Sequence, residues 1–185
     1  MWPGRGAVCT TWALARITRA VNAARRQAWA AIEARHGTLP GVRIADKVLQ
    51  GVTCIRLDAT VTPACSEKEL AEPNFKGFGH HPLLGYCDNT GEPLAGMLRP
   101  GSAGSNTAAG HLAVLDAAVT ALPPGFRRRL MVTCDGAGAS HDLIARLDTL
   151  AARQATAVDL GMPAFTQTAS RIIAAPAVLP ASQQT

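Results

Sequence analysis

Aromatic side chains are scarce, at 4% of 185 residues. A module that tracks single-stranded nucleic acid by base stacking would want more of them. Paired cysteine patterns are missing too. Cys9, Cys54, Cys65, Cys87 and Cys134 are odd in number, and none form a CxxC spacing. Neither a zinc site nor a disulfide framework is indicated. Cys54, Cys87 and Cys134 lie in apolar runs, where a free thiol behaves as a small buried hydrophobe. A reducing cytoplasm fits that usage. No apolar run approaches the roughly 18 residues of a membrane span, so no membrane partner is expected. Met1 to Thr10 lacks the apolar core of a signal peptide.

What is present reads as globular. Hydrophobic residues make up 48% and charged residues 17%. The length favours one domain with a real core. The net charge of +5 is unevenly placed. Residues 1–45 hold seven Lys/Arg and one Glu, whereas 46–185 hold eleven Lys/Arg and twelve Asp/Glu. A basic segment of this kind points to an anionic partner, and a solvated helix face is the plain alternative.

The spacing of Leu14, Ile17, Val21, Ala24, Ala28 and Ile32 predicts a helix from about Trp12 to His36. Arg16, Arg19, Arg25 and Arg26 fall largely off that stripe. Val52 to Leu57 reads as a strand ending at Asp58, and Ser66 to Gly79 as loop. His81–Cys87 and Pro93–Leu98 read as strands joined by a turn over Asp88–Glu92. Ser105 or Asn106 would cap a helix carrying Leu112, Leu115, Val119 and Leu122, stopped by Pro123-Pro124-Gly125. Leu130–Cys134 is a short apolar strand followed by Asp135. Ser140 would cap a helix over His141–Arg153, with a further strand near Thr156–Gly161 and a weak helix over Ala169–Ala175. This order predicts an α/β fold with a mixed sheet: three sequential strands, then helix–strand–helix–strand.

Asp58 and Asp135 each follow an apolar strand. On neighbouring strands, the two carboxylates would meet at one sheet edge, where α/β sites form. Close carboxylates repel, and a divalent cation removes the conflict; hard oxygen donors suit Mg²⁺ or Mn²⁺. Each Asp taken singly also fits a turn residue. Asp135-Gly-Ala-Gly-Ala-Ser-His141 resembles an anion-cradling loop opening a helix, but lacks the Lys of a P-loop. His141 fits a solvent-facing helix start equally well. Ser66-Glu-Lys-Glu69 reads as a solvated turn or a phosphate contact. His80-His81 is a poor metal pair, because adjacent strand residues point to opposite faces.

Taken together, several strings resemble a bacterial DDE transposase of insertion-sequence family thirteen-eighty. They are Leu57-Asp-Ala-Thr60, Ser66-Glu-Lys-Glu69, Asn74-Phe-Lys-Gly77, Gly79 with His81-Pro-Leu-Leu84, and Cys87-Asp-Asn-Thr-Gly-Glu92. Leu98-Arg-Pro-Gly101, Gly104-Ser-Asn-Thr-Ala-Ala109, His111, Leu115-Asp116 and Asp135-Gly-Ala-Gly138 with Ser140-His141 continue the likeness. It runs from about Trp12 to Pro180. Cys65, His80 and Gly110 depart from the family's usual His, aromatic and acid.

The resemblance implies an RNase H-like fold that cuts transposon ends and joins them to target DNA. Three carboxylates and two divalent metals, Mg²⁺ or Mn²⁺, do this chemistry. Asp58 matches the first catalytic and metal-binding Asp, and Asp135 the second. The third, a Glu, is expected beyond residue 185, so the chain is expected to be truncated at both ends and to cut little DNA alone. Lys68, Lys76, Arg99, Asn106 and His141 are the expected DNA contacts. The implied organisation is a basic helical segment over 1–45, a partial catalytic core over 46–180 and a tail over 181–185. Implied partners are DNA, both transposon ends and target, and a homo-oligomer with full-length transposase. The implied location is the cytoplasm, at the nucleoid. Two alternatives stand beside this reading. One is a non-catalytic DNA-binding or oligomerising remnant. The other is an unrelated metal nuclease or phosphatase with Glu67, Asp88 or Asp142 as a third ligand.

Overall fold

The computed structural model of the chain describes residues 11–44, 46–64, 68–104, 108–134, 140–153 and 156–159. A long helix opens it, α1 (Thr11–His36), ending where Gly37 takes a φ of 76° and donates to the Glu33 carbonyl at 2.7 Å. A small hairpin follows, β1 (Val42–Ile44) with β2 (Lys47–Leu49).

The main sheet has five strands: β3 (Thr53–Ala59), β7 (Leu83–Cys87), β8 (Glu92–Met97), β9 (Leu130–Cys134) and β10 (Thr156–Asp159). Their spatial order is β10-β9-β3-β7-β8. β3, β7 and β8 run antiparallel in sequence order, whereas β9 and β10 join parallel on the other side of β3. Each parallel crossover carries a helix, α2 (Ala108–Ala121) before β9 and α3 (His141–Arg153) before β10. The expected mixed α/β sheet is therefore present. The expected cap of α3 is present as well: the Ser140 hydroxyl accepts from the Leu143 N–H at 3.2 Å.

One face of the sheet is covered. Ile55 and Leu57 of β3, Leu83 and Cys87 of β7, and Leu130, Val132 and Cys134 of β9 point into it. There they meet Val114, Leu115, Ala118 and Leu122 from the α2 region and Leu143, Leu147 and Leu150 from α3. On the opposite face, Cys54 and Met131 pack beneath Val42, Ile44 and Leu49 of the small hairpin. That hairpin covers only the start of β3.

The stretch expected as loop is not one. β4 (Thr62–Pro63), β5 (Glu72–Asn74) and β6 (Gly77–His80) form a second, three-stranded sheet in the order β4-β6-β5. Its segments are short and rich in Gly and Pro, so no apolar alternation marks them. Backbone pairing and a close approach hold them instead. A Cβ on Gly101 would collide with the Glu72 and Gly79 carbonyls, so only glycine lets this loop pass.

The inward face of α1 also differs from the periodicity reading. Leu14, Ile17 and Val21 are about half exposed, and Trp12 is 65% exposed. Trp29 and Arg25 are the buried residues of this helix, Arg25 at 4% exposure. The Arg25 Nε donates to Glu92 Oε2 at 2.9 Å, and its Nη2 donates to the Pro93 carbonyl at 2.9 Å. The indole N–H of Trp29 donates to Glu92 Oε1 at 2.6 Å, and its ring meets Phe126 edge-on at 5.0 Å. A charged residue can turn inward here because its partner carboxylate waits at the first residue of β8.

Candidate active site

β3 is the central strand, and its side chains alternate between two environments. Ile55 and Leu57 enter the helix-covered core, so Cys54, Arg56 and Asp58 share the other face. The strand was expected to end at Asp58. It runs one residue further, because Ala59 still pairs with Leu83 of β7. Asp58 is thus a half-buried residue inside the strand, paired across to Leu84. Among the described residues its carboxylate has no ion pair and no hydrogen-bond partner. An acid on a sheet face, without a partner among the described residues, is chemically suited to an external cation.

The neighbouring parallel strand matters most. Leu57 of β3 lies opposite Cys134 of β9. Asp58 and Asp135 are the next residue of each chain segment. Asp135 itself lies outside the described residues, as do Gly136, Gly138, Glu67 and Asn106.

Asp88 sits elsewhere. Its N–H donates to the Cys54 carbonyl at 2.9 Å, four residues before Asp58 on β3, about 13 Å along the strand. Its carboxylate pairs with Arg56 at 2.8 Å and accepts from the Cys54 thiol at 3.7 Å. It is therefore committed away from Asp58. Asp142 lies in the first turn of α3, exposed. Among the described residues no group of three metal-ligating side chains converges.

The expected DNA contacts separate into two kinds. Lys68 is exposed ahead of β5, Lys76 is exposed at the turn between β5 and β6, and His141 is exposed at the start of α3. Arg99 is the exception. It is only 4% exposed, its Nε donates to the His81 carbonyl at 3.0 Å, and its Nη1 donates to the Gly104 carbonyl at 3.3 Å. Burial lowers its pKa. Arg99 is thus a buried clamp on the loop after β8 rather than an exposed phosphate contact. His81 does the same work from the other side, its Nδ1 lying 2.9 Å from the Ala103 carbonyl. His80 lies 3.3 Å from the Glu69 carbonyl through Nε2. Both histidines are thus engaged with loop backbone.

A cleft of about 280 Å³, lined by Glu33, Thr53, Arg128 and Arg129 among others, opens at the start of β3. That is the opposite end of the strand from Asp58.

The three cysteines of the apolar runs are placed as the sequence implied: Cys54, Cys87 and Cys134 are buried thiols. Burial, with the Asp88 carboxylate beside it, pushes the Cys54 thiol from 9.0 up to about 12. The folded chain therefore holds this proton more tightly than the unfolded chain. The resulting stability is complete below pH 9 and is lost as pH rises from 9 towards 12. By about pH 10.5 the loss is about 2 kcal/mol. Urea midpoints measured across the alkaline range should fall less steeply for Cys54→Ala than for the wild-type chain. Equal slopes would show that this thiol does not titrate with folding.

Comparison with known proteins adds one match. Over residues 5–166 the chain matches the model of a family described as transposase DDE domain group 1. No curated protein and no solved structure matches the chain. Among the described residues no helix is long and apolar enough to cross a membrane. The match spans most of the chain and includes both Asp58 and Asp135, and its DDE domain implies an RNase H-like fold. The chain belongs to the group 1 transposase DDE-domain family.

Proposed function

We propose that this chain is part of a DNA transposase catalytic core, of insertion-sequence family thirteen-eighty, in which Asp58 and Asp135 hold a divalent cation. The observation that carries the reading is the parallel register of Leu57 with Cys134. Consecutive Cα atoms are 3.8 Å apart. The pairing of Leu57 with Cys134 supports a meeting of Asp58 with the residue that follows Cys134. The unpartnered carboxylate of Asp58 supports the same reading. When bound, Mg²⁺ or Mn²⁺ would polarise the scissile phosphodiester and activate the attacking oxygen. The chain's own part is to hold two acids at fixed positions on a rigid central sheet. Lys68, Lys76, Asn106 and His141 would meet DNA around them. A third carboxylate completes such a site; with no group of three ligating side chains among the described residues, the two aspartates alone would hold the cation weakly and support little cleavage.

A non-catalytic role in DNA binding or oligomerisation remains the second reading. The half-exposed Leu14, Ile17 and Val21 on α1 favour it, as a helix face able to meet another copy.

One assay separates the two. The chain is incubated with labelled transposon-end DNA and Mn²⁺, beside an Asp135→Ala control. We expect binding with a salt-dependent affinity and only trace cleavage, the trace vanishing in the control. Trace cleavage that persists in Asp135→Ala would end the assignment of this residue. Absence of DNA binding at low salt would end the catalytic reading and leave only oligomerisation of the second.

A further inference from the structure

The second sheet has no role in the reading so far, yet it is firmly built. β4 begins three residues after β3 ends, so its base is joined to the strand that carries Asp58. The His80–Pro100 bridge, the Gly101 N–H on the Leu70 carbonyl at 3.0 Å, and a Ser102–Glu72 hydrogen bond fix it to the loop after β8. From this base the β5–β6 hairpin reaches outward. Gly79 pairs with Pro63, the last residue of β4. Three further residues lead to the tip, about 10 Å beyond β4.

The tip is Phe75-Lys76, between the paired Asn74 and Gly77. The Asn74 side chain accepts the Lys76 N–H at 2.9 Å, which sets the turn. Phe75 is 79% exposed and Phe78 is 41% exposed. The Lys76 ammonium lies 5.7 Å from the Phe75 ring centroid. From Pro73 to His80 the hairpin carries one lysine and no acid. A rigid arm has thus placed its largest apolar side chain in water, with a cation beside it.

We propose that this tip binds DNA that has unpaired bases, Phe75 stacking on one base and Lys76 meeting the adjoining phosphate. The proposal rests on the transposase reading and extends it to a residue not assigned there. Inside a duplex each base face is covered by its neighbours, so away from the duplex ends a single ring can stack only where a base is unpaired. Stacking suits any base, because each has a π-face. The scarcity of aromatics excludes a long stacking track but not one contact at the end of an arm. A protein partner fits less well. Two rings and a lysine fall far short of the roughly 800 Å² per partner of a stable interface.

The test measures affinity of the whole chain for two labelled DNAs, a blunt duplex and the same duplex with a short single-stranded overhang. Phe75→Ala should weaken overhang binding about tenfold and leave the blunt duplex within about twofold. Phe75→Trp should keep the preference. Lys76→Gln should weaken both and reduce the salt slope. Because Phe75 is exposed, the thermal midpoint of Phe75→Ala should match the wild type, which confirms that the variant folds. Equal affinity of Phe75→Ala and wild type for the overhang, or equal loss on both DNAs, overturns the proposal. So does a shift from dimer to monomer with DNA affinity intact, which would assign the tip to a second copy of the chain. A wild-type chain that binds neither DNA sinks this proposal and the DNA reading together. Persistent overhang preference without metal-dependent cleavage would count only against the catalytic reading.

Discussion

Replacing Arg25 with alanine is expected to destabilise the chain by about 3–5 kcal/mol. The guanidinium is almost fully buried, at 4% exposure, and it donates to Glu92, to the Pro93 carbonyl and to the Ala121 carbonyl. Removing it leaves the Glu92 carboxylate with only Trp29 and Thr90 as donors. An uncompensated charge then sits at the junction of α1 and β8, and the Pro93 carbonyl loses a partner. Trp29, which shares Glu92 and packs edge-on against Phe126, loses its register as well. For a chain of this size the loss corresponds to about 10 °C in thermal midpoint. Urea titration measures it, with Arg26→Ala as the control because Arg26 lies exposed on the same turn. Removing both partners of the ion pair, in Arg25→Met with Glu92→Gln, should cost less than the two single changes summed. Arg25→Ala and Arg26→Ala with equal midpoints would show that the buried ion pair contributes nothing. The same geometry predicts that a chain beginning at residue 46 loses its fold, since it would lack Trp29, Leu39 and Val42 from the core.

That buried arginine also changes the meaning of the charge distribution. The basic surplus of residues 1–45 suggested an anionic partner for the helix. Arg25 is spent inside the protein, and Arg16 lies over the Trp12 ring at 4.6 Å. Arg16, Arg19, Arg26, Arg35 and Arg43 remain exposed. Periodicity pointed to Leu14, Ile17 and Val21 as the inward face because it counts apolar side chains alone. The buried face was instead chosen by Glu92, 67 residues away from Arg25, and no local pattern carries that information.

The elements that were legible share a cause. Leu130–Cys134 is a continuous apolar run because it is buried on both faces, so its limits could be read directly. α3 was legible because Leu143, Leu147 and Leu150 face one core and Ser140 caps the first turn. The three short strands β4, β5 and β6 were illegible because their stability comes from backbone pairing and from Gly101 arriving over twenty residues downstream of them. The loop role of Arg99 was hidden for a related reason. An arginine in a loop motif looks like a phosphate ligand until the carbonyls of His81 and Gly104 are seen to receive it. Asp58 was legible as an acid after an apolar run. Its pairing with Leu84, and the continuation of β3 through Ala59, required the partner strand.

Asp58→Asn is expected to act in opposite directions with and without a divalent cation. If Asp58 and Asp135 share a cation site as proposed, their carboxylates repel without metal, at about 1 kcal/mol in a solvated setting. Neutralising one should therefore raise stability slightly. With metal, the wild-type pair should gain. At ~20 mM Mn²⁺ and a dissociation constant near ~1 mM, the gain is about 2 kcal/mol, read as a rise of several degrees in thermal midpoint. Asp58→Asn should lose that rise, and Asp135→Asn should lose it too. Asp88→Asn is the control. Its carboxylate is committed to Arg56 and Cys54, so it should keep the metal response. The pattern discriminates between two physical roles for Asp58. A turn-forming aspartate would respond to neither change of charge nor addition of metal. A structural ion-pair acid would lose stability on neutralisation, and Asp58 has no such partner among the described residues. Only an acid held near a second acid gains stability from losing its charge and loses it again once the cation is supplied. If Asp58→Asn is destabilised without metal, or keeps the wild-type rise with Mn²⁺, then the register of Leu57 with Cys134 does not build a cation site.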